Sequence, residues 1–206
     1  MPVNVASDMF ASLGAQWSFQ TADVMTVVSG ELRANAIGNA SGAWRNDIGP
    51  NGQWQFSKFA VGTVIDSVVD LGMGPAVCMA DAADTSYACL VNSNAAGRFQ
   101  LVRRNAGAQT VLKNYTVVAP ATGNILWLVK DPTYHLYVFL NGLGPAFEII
   151  SFDDSASASK LETGRVGAFG RISIGVSTLD NFEGGDWPYA QRQSPNAPMR
   201  GGYSVQ

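Results

Sequence analysis

The chain has 206 residues, of which 47% are hydrophobic, 10% aromatic and 14% charged, with 22 glycines and 5 tryptophans. This apolar and aromatic content is enough to build a substantial core, so a disordered chain is excluded. The formal net charge of −3 argues against a nucleic-acid partner, because phosphate binding needs a cationic surface. No apolar run approaches the roughly 20 residues that cross a bilayer, so we expect no membrane insertion.

The two ends of the chain differ from its middle. Residues 1–4 lack a charged segment followed by an apolar stretch, so no Sec signal peptide is predicted. Residues 191–206 are rich in Pro and Gly and show no periodicity. They read either as a frayed tail or as an extended arm that orders on a neighbouring subunit. We therefore expect one domain over residues 1–190 and a tail or arm over 191–206. The candidate subunit contacts of the arm are Pro195, Pro198, Tyr203 and Val205.

The body of the chain is a succession of short strand patterns. Runs rich in β-branched and aromatic residues recur, each closed by Gly, Asn, Asp or Pro. In chain order they are Val24–Val28, Glu31–Ala36, Gln55–Gly62, Thr63–Leu71, Ala76–Ala80, Tyr87–Val91, Arg98–Arg103, Thr110–Asn114, Ile125–Lys130, His135–Leu140, Phe147–Phe152, Gly164–Phe169 and Ser173–Thr178. About a dozen strands with almost no helical periodicity predict an all-β sandwich or barrel.

Two of these runs are apolar without alternation, namely Ile125–Val129 and Leu136–Leu140. Such runs are typical of central strands in stacked sheets, or of a strand whose outer face meets another chain. Asn141-Gly142 directly after the second run is a strong hairpin signal and predicts a connection to Phe147–Phe152.

A set of short motifs recurs in a fixed order between residues 8 and 183: Asp8-Met9-Phe10, Leu13-Gly14, Trp17, Val27–Leu32, Ala76–Asp81, Tyr87, Leu136–Gly142, Gly164–Phe169 and Leu179–Phe182. Their order and spacing resemble those of concanavalin A-like (laminin-G-like) jelly-roll domains. The resemblance implies a two-sheet antiparallel jelly-roll sandwich in which the first and last strands lie together. Asp8-Met9-Phe10 and Asp180-Asn181-Phe182 should then be spatial neighbours. The fold does not set the function, since the same scaffold serves hydrolases, lectins, adhesion modules and virion parts.

The sequence carries no recognisable catalytic constellation. Glycosidases on this scaffold need two carboxylates placed together as acid and nucleophile or base. The four glutamates are far apart in the sequence, and no two share a predicted strand; they are Glu31, Glu148, Glu162 and Glu183. The single histidine, His135, begins a strand, and no Gly-x-Ser-x-Gly elbow is present. We therefore expect a protein that is not an enzyme.

A calcium site is an open question at this stage. Members of the resembling family often hold calcium at the sandwich rim, and calcium prefers six to eight oxygen ligands. The candidate oxygen donors are Asp23, Asp180, Asn181 and Asp186. The alternative is that Asp180-Asn181 caps a turn. Apart from calcium, no cofactor is expected.

The two cysteines are Cys78 and Cys89. If residues 82–85 form a four-residue loop, Cys78 falls directly opposite Cys89 on neighbouring strands. A disulfide would then need local tightening. Because no signal peptide is predicted, two reduced and packed thiols are the favoured interpretation.

Aromatic side chains are the candidates for sugar binding. Trp44 and Trp54 flank a loop over residues 47–52, and Tyr115 and Tyr134 lie at strand ends. Exposed aromatic rings of this kind stack on sugars, although an aromatic at a strand end can equally plug the sandwich. Trp17 and Trp127 are predicted to lie in the core.

Two functional hypotheses follow. The first is a structural virion protein, a capsid decoration or tail-associated subunit of a bacteriophage, with other virion proteins and further copies of this chain as partners. It rests on the missing catalytic and secretion signals, on the arm, and on an analogy with jelly rolls among phage structural proteins. The alternative is a carbohydrate-binding module or lectin, extracellular or exposed at a cell surface, with a glycan as partner.

Overall fold

The computed structural model describes residues 5–10, 12, 14–19, 25–34, 40–47, 54–64, 67–80, 84–172 and 177–186. Within these ranges the chain forms fifteen strands and no helix, which confirms the all-β prediction. No helix among these residues is long and apolar enough to cross a membrane. Asp23 and the arm over residues 191–206, with Pro195, Pro198, Tyr203 and Val205, lie outside the described residues.

The strands are short and close together in the chain. They are β1 (Val5–Asp8), β2 (Trp17–Phe19), β3 (Thr26–Val28), β4 (Glu31–Arg33), β5 (Ala40–Arg45), β6 (Gln55–Val61), β7 (Gly72–Ala80), β8 (Thr85–Val91), β9 (Phe99–Asn105), β10 (Ala108–Tyr115), β11 (Ile125–Lys130), β12 (His135–Leu140), β13 (Glu148–Asp153), β14 (Arg165–Arg171) and β15 (Thr178–Asp186).

The strands form two antiparallel sheets. One has eight strands in the order β13-β12-β11-β6-β15-β4-β3, with β1 also paired to β15, and the other has seven in the order β10-β9-β8-β7-β14-β5-β2. Asp8 of β1 lies opposite Phe182 of β15, so the expected contact between the first and last strands is confirmed. The sheets stack face to face as a jelly-roll sandwich without a closed barrel.

Alternate residues of each strand build the shared core. The eight-stranded sheet contributes side chains such as Leu126, Leu128 and Val138, and the seven-stranded sheet contributes Tyr87 and Leu101. All five are completely buried. Successive side chains of a strand point to opposite faces, so the intervening residues form the two outer faces of the sandwich.

Polar side chains tie the two sheets together inside the sandwich. Tyr87 Oη on β8 donates to Asp154 Oδ2, which follows β13, at 2.5 Å, and it accepts from Leu161 N at 2.9 Å. Arg103 Nη1 pairs with the same Asp154 carboxylate at 2.6 Å. Burial, followed by the hydrogen bond to Asp154, raises the pKa of Tyr87 well above its ordinary value, so the phenol keeps its proton. Gln55 Nε2 on β6 likewise donates to Gly164 O at 2.8 Å.

Some strand predictions are confirmed and others are wrong. β11 and β12 have the predicted bounds, and the predicted hairpin joins β12 to β13. Residues 67–71, predicted to continue a strand, form no strand. We call this segment the strap. It is held over the seven-stranded sheet by Asp70 N, which donates to Gln100 Oε1 at 2.7 Å, and by Asp70 O, which accepts from Gln109 Nε2 at 2.9 Å.

The predicted register of the cysteines is wrong. The β7–β8 pairing places Ala76 opposite Ala88 and Val77 opposite Tyr87, so Cys78 does not face Cys89. Cys78 lies instead in a bulge between Val77 and Ala80, with a φ of 55°. Both thiols are free and buried. Burial raises the pKa of Cys78 to about 12, because the apolar surroundings disfavour the thiolate.

Candidate functional site

The outer face of the seven-stranded sheet carries a second apolar cluster, separate from the shared core. Its members are Trp44, Ala76, Met79, Ala88, Leu90, Val102 and Phe169. They lie on five strands, and each alternates with a residue that points into the sandwich. A sheet face that looks away from the core is usually polar, whereas these seven side chains are apolar and 0–3% exposed, which makes the cluster a candidate site.

Small residues form the floor of this cluster. Ala88 pairs with Ala76, Ala76 pairs with Gly167, and Gly167 pairs with Trp44, so one row crosses four strands. A Cβ atom added at Gly167 would lie 2.0 Å from Ala43 O and 2.7 Å from Trp44 Cα, so only glycine fits there. The large rings of Trp44 and Phe169 stand beside this floor. We call the site formed by Trp44, Ala76, Ser86, Ala88, Gly167 and Phe169 the cradle.

Arg104 of β9 forms a charged edge of the cradle. Its guanidinium carbon lies 4.9 Å from the centroid of the Phe169 ring, which is a cation–π geometry. The same guanidinium pairs with the Asp84 carboxylate and donates to Gly107 O at 3.0 Å. These partners hold the Arg104 side chain against the cluster, where it is almost wholly buried. The strap covers the neighbouring part of the face through Asp70 and Gln100.

Two polar atoms of the cradle have no partner. Trp44 Nε1 and Ser86 Oγ are buried and make no hydrogen bond. Ser86 faces outward, because it alternates with Tyr87, which points into the core. Leaving a buried polar group unsatisfied costs about 1–3 kcal/mol, so such groups in a native protein call for an explanation. A ligand with an apolar face and hydroxyl groups would supply both the packing surface and the missing partners.

The sequence placed Trp44 beside a loop and left its exposure open. In the structure Trp44 lies within β5 and is only 3% exposed. The β5 run is Ala-Ser-Gly-Ala-Trp-Arg, whose small residues give little strand signal. Trp54, by contrast, is half-buried directly before β6.

Tyr115 and Tyr134 lie elsewhere. Tyr115 ends β10 and packs on Phe99, with ring centroids 6.2 Å apart. Tyr134 lies in the turn between β11 and β12 with a φ of 65°, and its ring lies under Lys130 Nζ at 4.9 Å and Lys160 Nζ at 5.2 Å. The four predicted aromatic residues therefore do not share one surface: Trp54 and Tyr134 lie at one end of the eight-stranded sheet, apart from Trp44 and Tyr115.

The predicted calcium ligands do not come together. Asp180 and Asp186 lie six residues apart along β15, so an extended strand separates them by about 20 Å. The Asp180 carboxylate instead accepts from Asn181 N at 2.7 Å. In the part of the chain that the structure describes, no three His, Cys, Asp or Glu side chains form a group that could hold a metal ion. This grouping of Asp180, Asn181 and Asp186 is therefore wrong.

The four glutamates and Trp127 lie in different parts of the fold. The four glutamates lie on separate elements: β4, β13, the β13–β14 connection and β15. Trp17 is buried as predicted, but Trp127 is only partly buried and lies on the outer face of the eight-stranded sheet, so its prediction as a core residue is wrong.

Sequence reasoning did not single out Ser86, Phe169 or Arg104. The run from Tyr87 to Val91 is apolar at every position, and this signal could have revealed that the outer face of β8 is covered as well as the inner one. The sequence does not reveal the strand pairing that places Phe169 beside Arg104.

No protein-family model matches the sequence, and no curated protein is similar to it. Solved structures are similar in fold. The carbohydrate recognition domain of Emp47p has a TM-score of 0.53 at 10% identity, over 88% of this chain and 94% of that one. The exoplasmic/lumenal domain of VIP36, in a Ca²⁺/Man-bound form, has a TM-score of 0.53 at 12% identity, over 84% of each chain.

A xylan β-1,4-xylosidase from Bacillus halodurans C-125 is also similar, with a TM-score of 0.58 at 17% identity. The match covers 87% of this chain but 39% of the xylosidase, so this chain spans well under half of that enzyme's length. Together these structures show that the chain has the concanavalin A-like jelly-roll fold.

Proposed function

We propose that this protein is a carbohydrate-binding module that recognises a glycan without catalysing a reaction. The observation that carries the proposal is the pair of buried polar atoms without partners, Trp44 Nε1 and Ser86 Oγ, in an apolar cradle of small residues. A pyranose offers an apolar face of C–H groups and a rim of hydroxyls, which matches this combination.

The fold supports the proposal. Emp47p is similar through its carbohydrate recognition domain, and the VIP36 structure contains mannose and calcium. The VIP36 domain is exoplasmic or lumenal, which agrees with the extracellular or surface location that the sequence left as an alternative. The proposed sugar site does not use Asp180 or Asp186, which lie apart along β15.

The cradle would hold a sugar through three groups. The indole of Trp44 packs against the apolar ring face while its N–H donates to a hydroxyl, and the Ser86 hydroxyl exchanges a hydrogen bond with a second hydroxyl. Trp44 and Ser86 are 3% and 0% exposed, so a sugar reaches them only when the chain around them moves outward.

The virion hypothesis has less support. It depended on the arm over residues 191–206, which lies outside the described residues. None of the three similar structures named above is a virion protein. A glycan-binding face is compatible with a display role on a particle, but no contact in the described chain favours that role.

A glycan array followed by titration calorimetry on the bound glycan tests the proposal. Trp44→Phe keeps an aromatic side chain but removes the N–H, and Ser86→Ala removes the hydroxyl. Because one hydrogen bond contributes about 0.5–1.5 kcal/mol, each variant should bind about 3- to 10-fold more weakly.

Ser41→Ala is the matched control. Ser41 is also buried with an unpartnered hydroxyl, but it alternates with Trp44 and lies on the core side with Ala43. Its substitution should leave glycan affinity unchanged. A wild-type protein that binds no glycan on the array, or cradle variants with wild-type affinity, would falsify the proposal.

A further inference from the structure

Asn141 precedes a glycine and opens the loop over residues 141–147, which connects β12 to β13. The loop is closed by Leu140 N, which donates to Phe147 O at 2.9 Å. Asn141 is exposed and has a φ of 62°, a left-handed conformation that few residues other than glycine, asparagine and aspartate adopt. The proposed glycan site does not use this dipeptide.

The side-chain amide of Asn141 is held in one orientation. Ile125 N donates to its Oδ1 at 2.9 Å, and Asn124 Nδ2 donates to the same oxygen at 3.3 Å. Because a backbone N–H can only donate, the atom that faces Ile125 N must be the oxygen of the amide and not its nitrogen. The Nδ2 group of Asn141 lies on the other side of the amide and makes no hydrogen bond to a described residue.

The two donors lie where negative charge develops when a nucleophile adds to Asn141 Cγ. Such an addition turns the carbonyl oxygen into an oxyanion, and N–H groups that already point at this oxygen stabilise the charged state. The distance from Ile125 N is within the range of an effective oxyanion donor, and the distance from Asn124 Nδ2 is slightly longer. The fold therefore activates this thermolabile amide with donors placed in advance.

The nucleophile is the backbone nitrogen of Gly142. It is bonded to the main-chain carbonyl carbon of Asn141, so its attack on Cγ closes a five-membered ring. Gly142 N donates no hydrogen bond to any described residue, so no such bond has to break before it reacts. A glycine has no Cβ to block the approach, and its backbone rotates more freely than that of other residues. Asn124, by contrast, precedes the β-branched Ile125, whose nitrogen is already bonded to Asn141 Oδ1.

We propose that Asn141 is a self-modification site, at which the chain converts its own asparagine to aspartate or isoaspartate without an enzyme. The Gly142 nitrogen forms a bond to Asn141 Cγ, the Cγ–Nδ2 bond breaks, and Nδ2 leaves as ammonia with the proton that Gly142 N has lost. Water then opens the resulting succinimide ring. Opening at Cγ gives aspartate, and opening at the main-chain carbonyl gives isoaspartate. One water is consumed and one ammonia is released, and nothing is oxidised or reduced.

The two products differ in their effect on the strands. Either product adds one negative charge, so the formal net charge changes from −3 to −4. Aspartate keeps an oxygen for Ile125 N. Isoaspartate inserts a methylene into the main chain beside the hydrogen bond from Asn141 N to Ile125 O, which is 2.7 Å long, and so loosens this end of the β11–β12 pair. The inference goes beyond glycan binding and does not depend on it.

Peptide mapping by mass spectrometry tests the proposal on the full chain, incubated for days at mildly alkaline pH. The peptide with Asn141 should yield two new species, aspartate and isoaspartate, each heavier by the difference between a hydroxyl and an amino group. Asn124 lies beside the same oxygen and should stay unchanged, so it is an internal control. Gly142→Ala should abolish the conversion. The added Cβ would lie 2.8 Å from the Phe147 ring, whose residue is 43% exposed and can shift.

Asn124→Asp tests the role of the donors. The variant keeps an oxygen for Ala121 N, which donates to Asn124 Oδ1 at 2.8 Å, but it removes the Nδ2 donor from Asn141. Conversion of Asn141 should slow by about 3- to 10-fold, which is the effect of one hydrogen bond on a rate. Conversion of Asn51, which also precedes a glycine, should not change. An Asn141 that stays intact in wild type, an undiminished rate in Gly142→Ala, or a wild-type rate in Asn124→Asp would each overturn the proposal.

Discussion

The Ser86 hydroxyl, which we propose contacts the ligand, destabilises the protein when no ligand is bound. Its neighbours on the outer face are Ala88 on its own strand and Arg104 on the next, and its hydroxyl is buried without a partner. A buried hydroxyl that finds no partner destabilises the folded state, whereas an alanine at the same place has nothing to satisfy. Such a residue is explained if its partner arrives with the ligand.

The Ser86→Ala variant tests whether the Ser86 hydroxyl is unsatisfied in the ligand-free protein. Without ligand, the variant should be more stable than wild type by about 1 kcal/mol, because the unsatisfied group is removed. For a chain of this length the melting temperature should rise by about 2–4 °C, measured by calorimetry. Ser41→Ala should gain a similar amount, since its hydroxyl is also unpartnered. A lower melting temperature for Ser86→Ala would show that the hydroxyl has a partner and would remove the reason for the cradle.

At the scale of strands, the two sheets are joined by more than apolar packing. Tyr87 on β8 reaches Asp154 beyond β13 and also receives the backbone N–H of Leu161. Arg103 on β9 balances the Asp154 charge. This network holds the β13–β14 connection against the seven-stranded sheet, at the end of the sandwich where Tyr134 and Trp54 also lie.

Tyr87→Phe tests how much this network contributes. The substitution leaves the Leu161 N–H without its acceptor and Asp154 with one donor fewer, in a region shielded from water. We expect the free energy of unfolding in urea to fall by about 2–3 kcal/mol. Tyr115→Phe is the matched control, because Tyr115 packs on Phe99 at the edge of the sheet and should change stability by less than about 0.5 kcal/mol. Equal losses for the two variants would contradict a special role for the Tyr87 hydroxyl.

At the scale of the whole molecule, the two outer faces of the sandwich have different surfaces. The seven-stranded sheet carries the cradle with its unpartnered polar atoms, and the eight-stranded sheet carries the stacked rings of His135, Tyr137 and Phe139.

Much of the fold could be predicted from local patterns. The continuous apolar runs of β11 and β12 and the Asn141-Gly142 turn are properties of neighbouring residues, and the structure has those strands and that hairpin. The strap was mistaken for a strand because Val68 and Val69 have β-forming side chains. There the hydrogen bonds of Asp70 to Gln100 and Gln109, which are distant in the chain, outweigh local propensity.

By itself the sequence determined the fold class, the bounds of β11 and β12 and the hairpin after β12, whereas the pairing of the first strand with the last followed from the resemblance. Tertiary structure alone decided which residues face one another: that Trp44 is buried beside Gly167, that the β7–β8 register keeps Cys78 from facing Cys89, and that Lys58, Trp127, Phe139 and Glu148 form one row. The physical reason is register. A shift of one residue sends a whole strand's side chains to the opposite face, and the choice is made by packing across the sheets rather than along the chain.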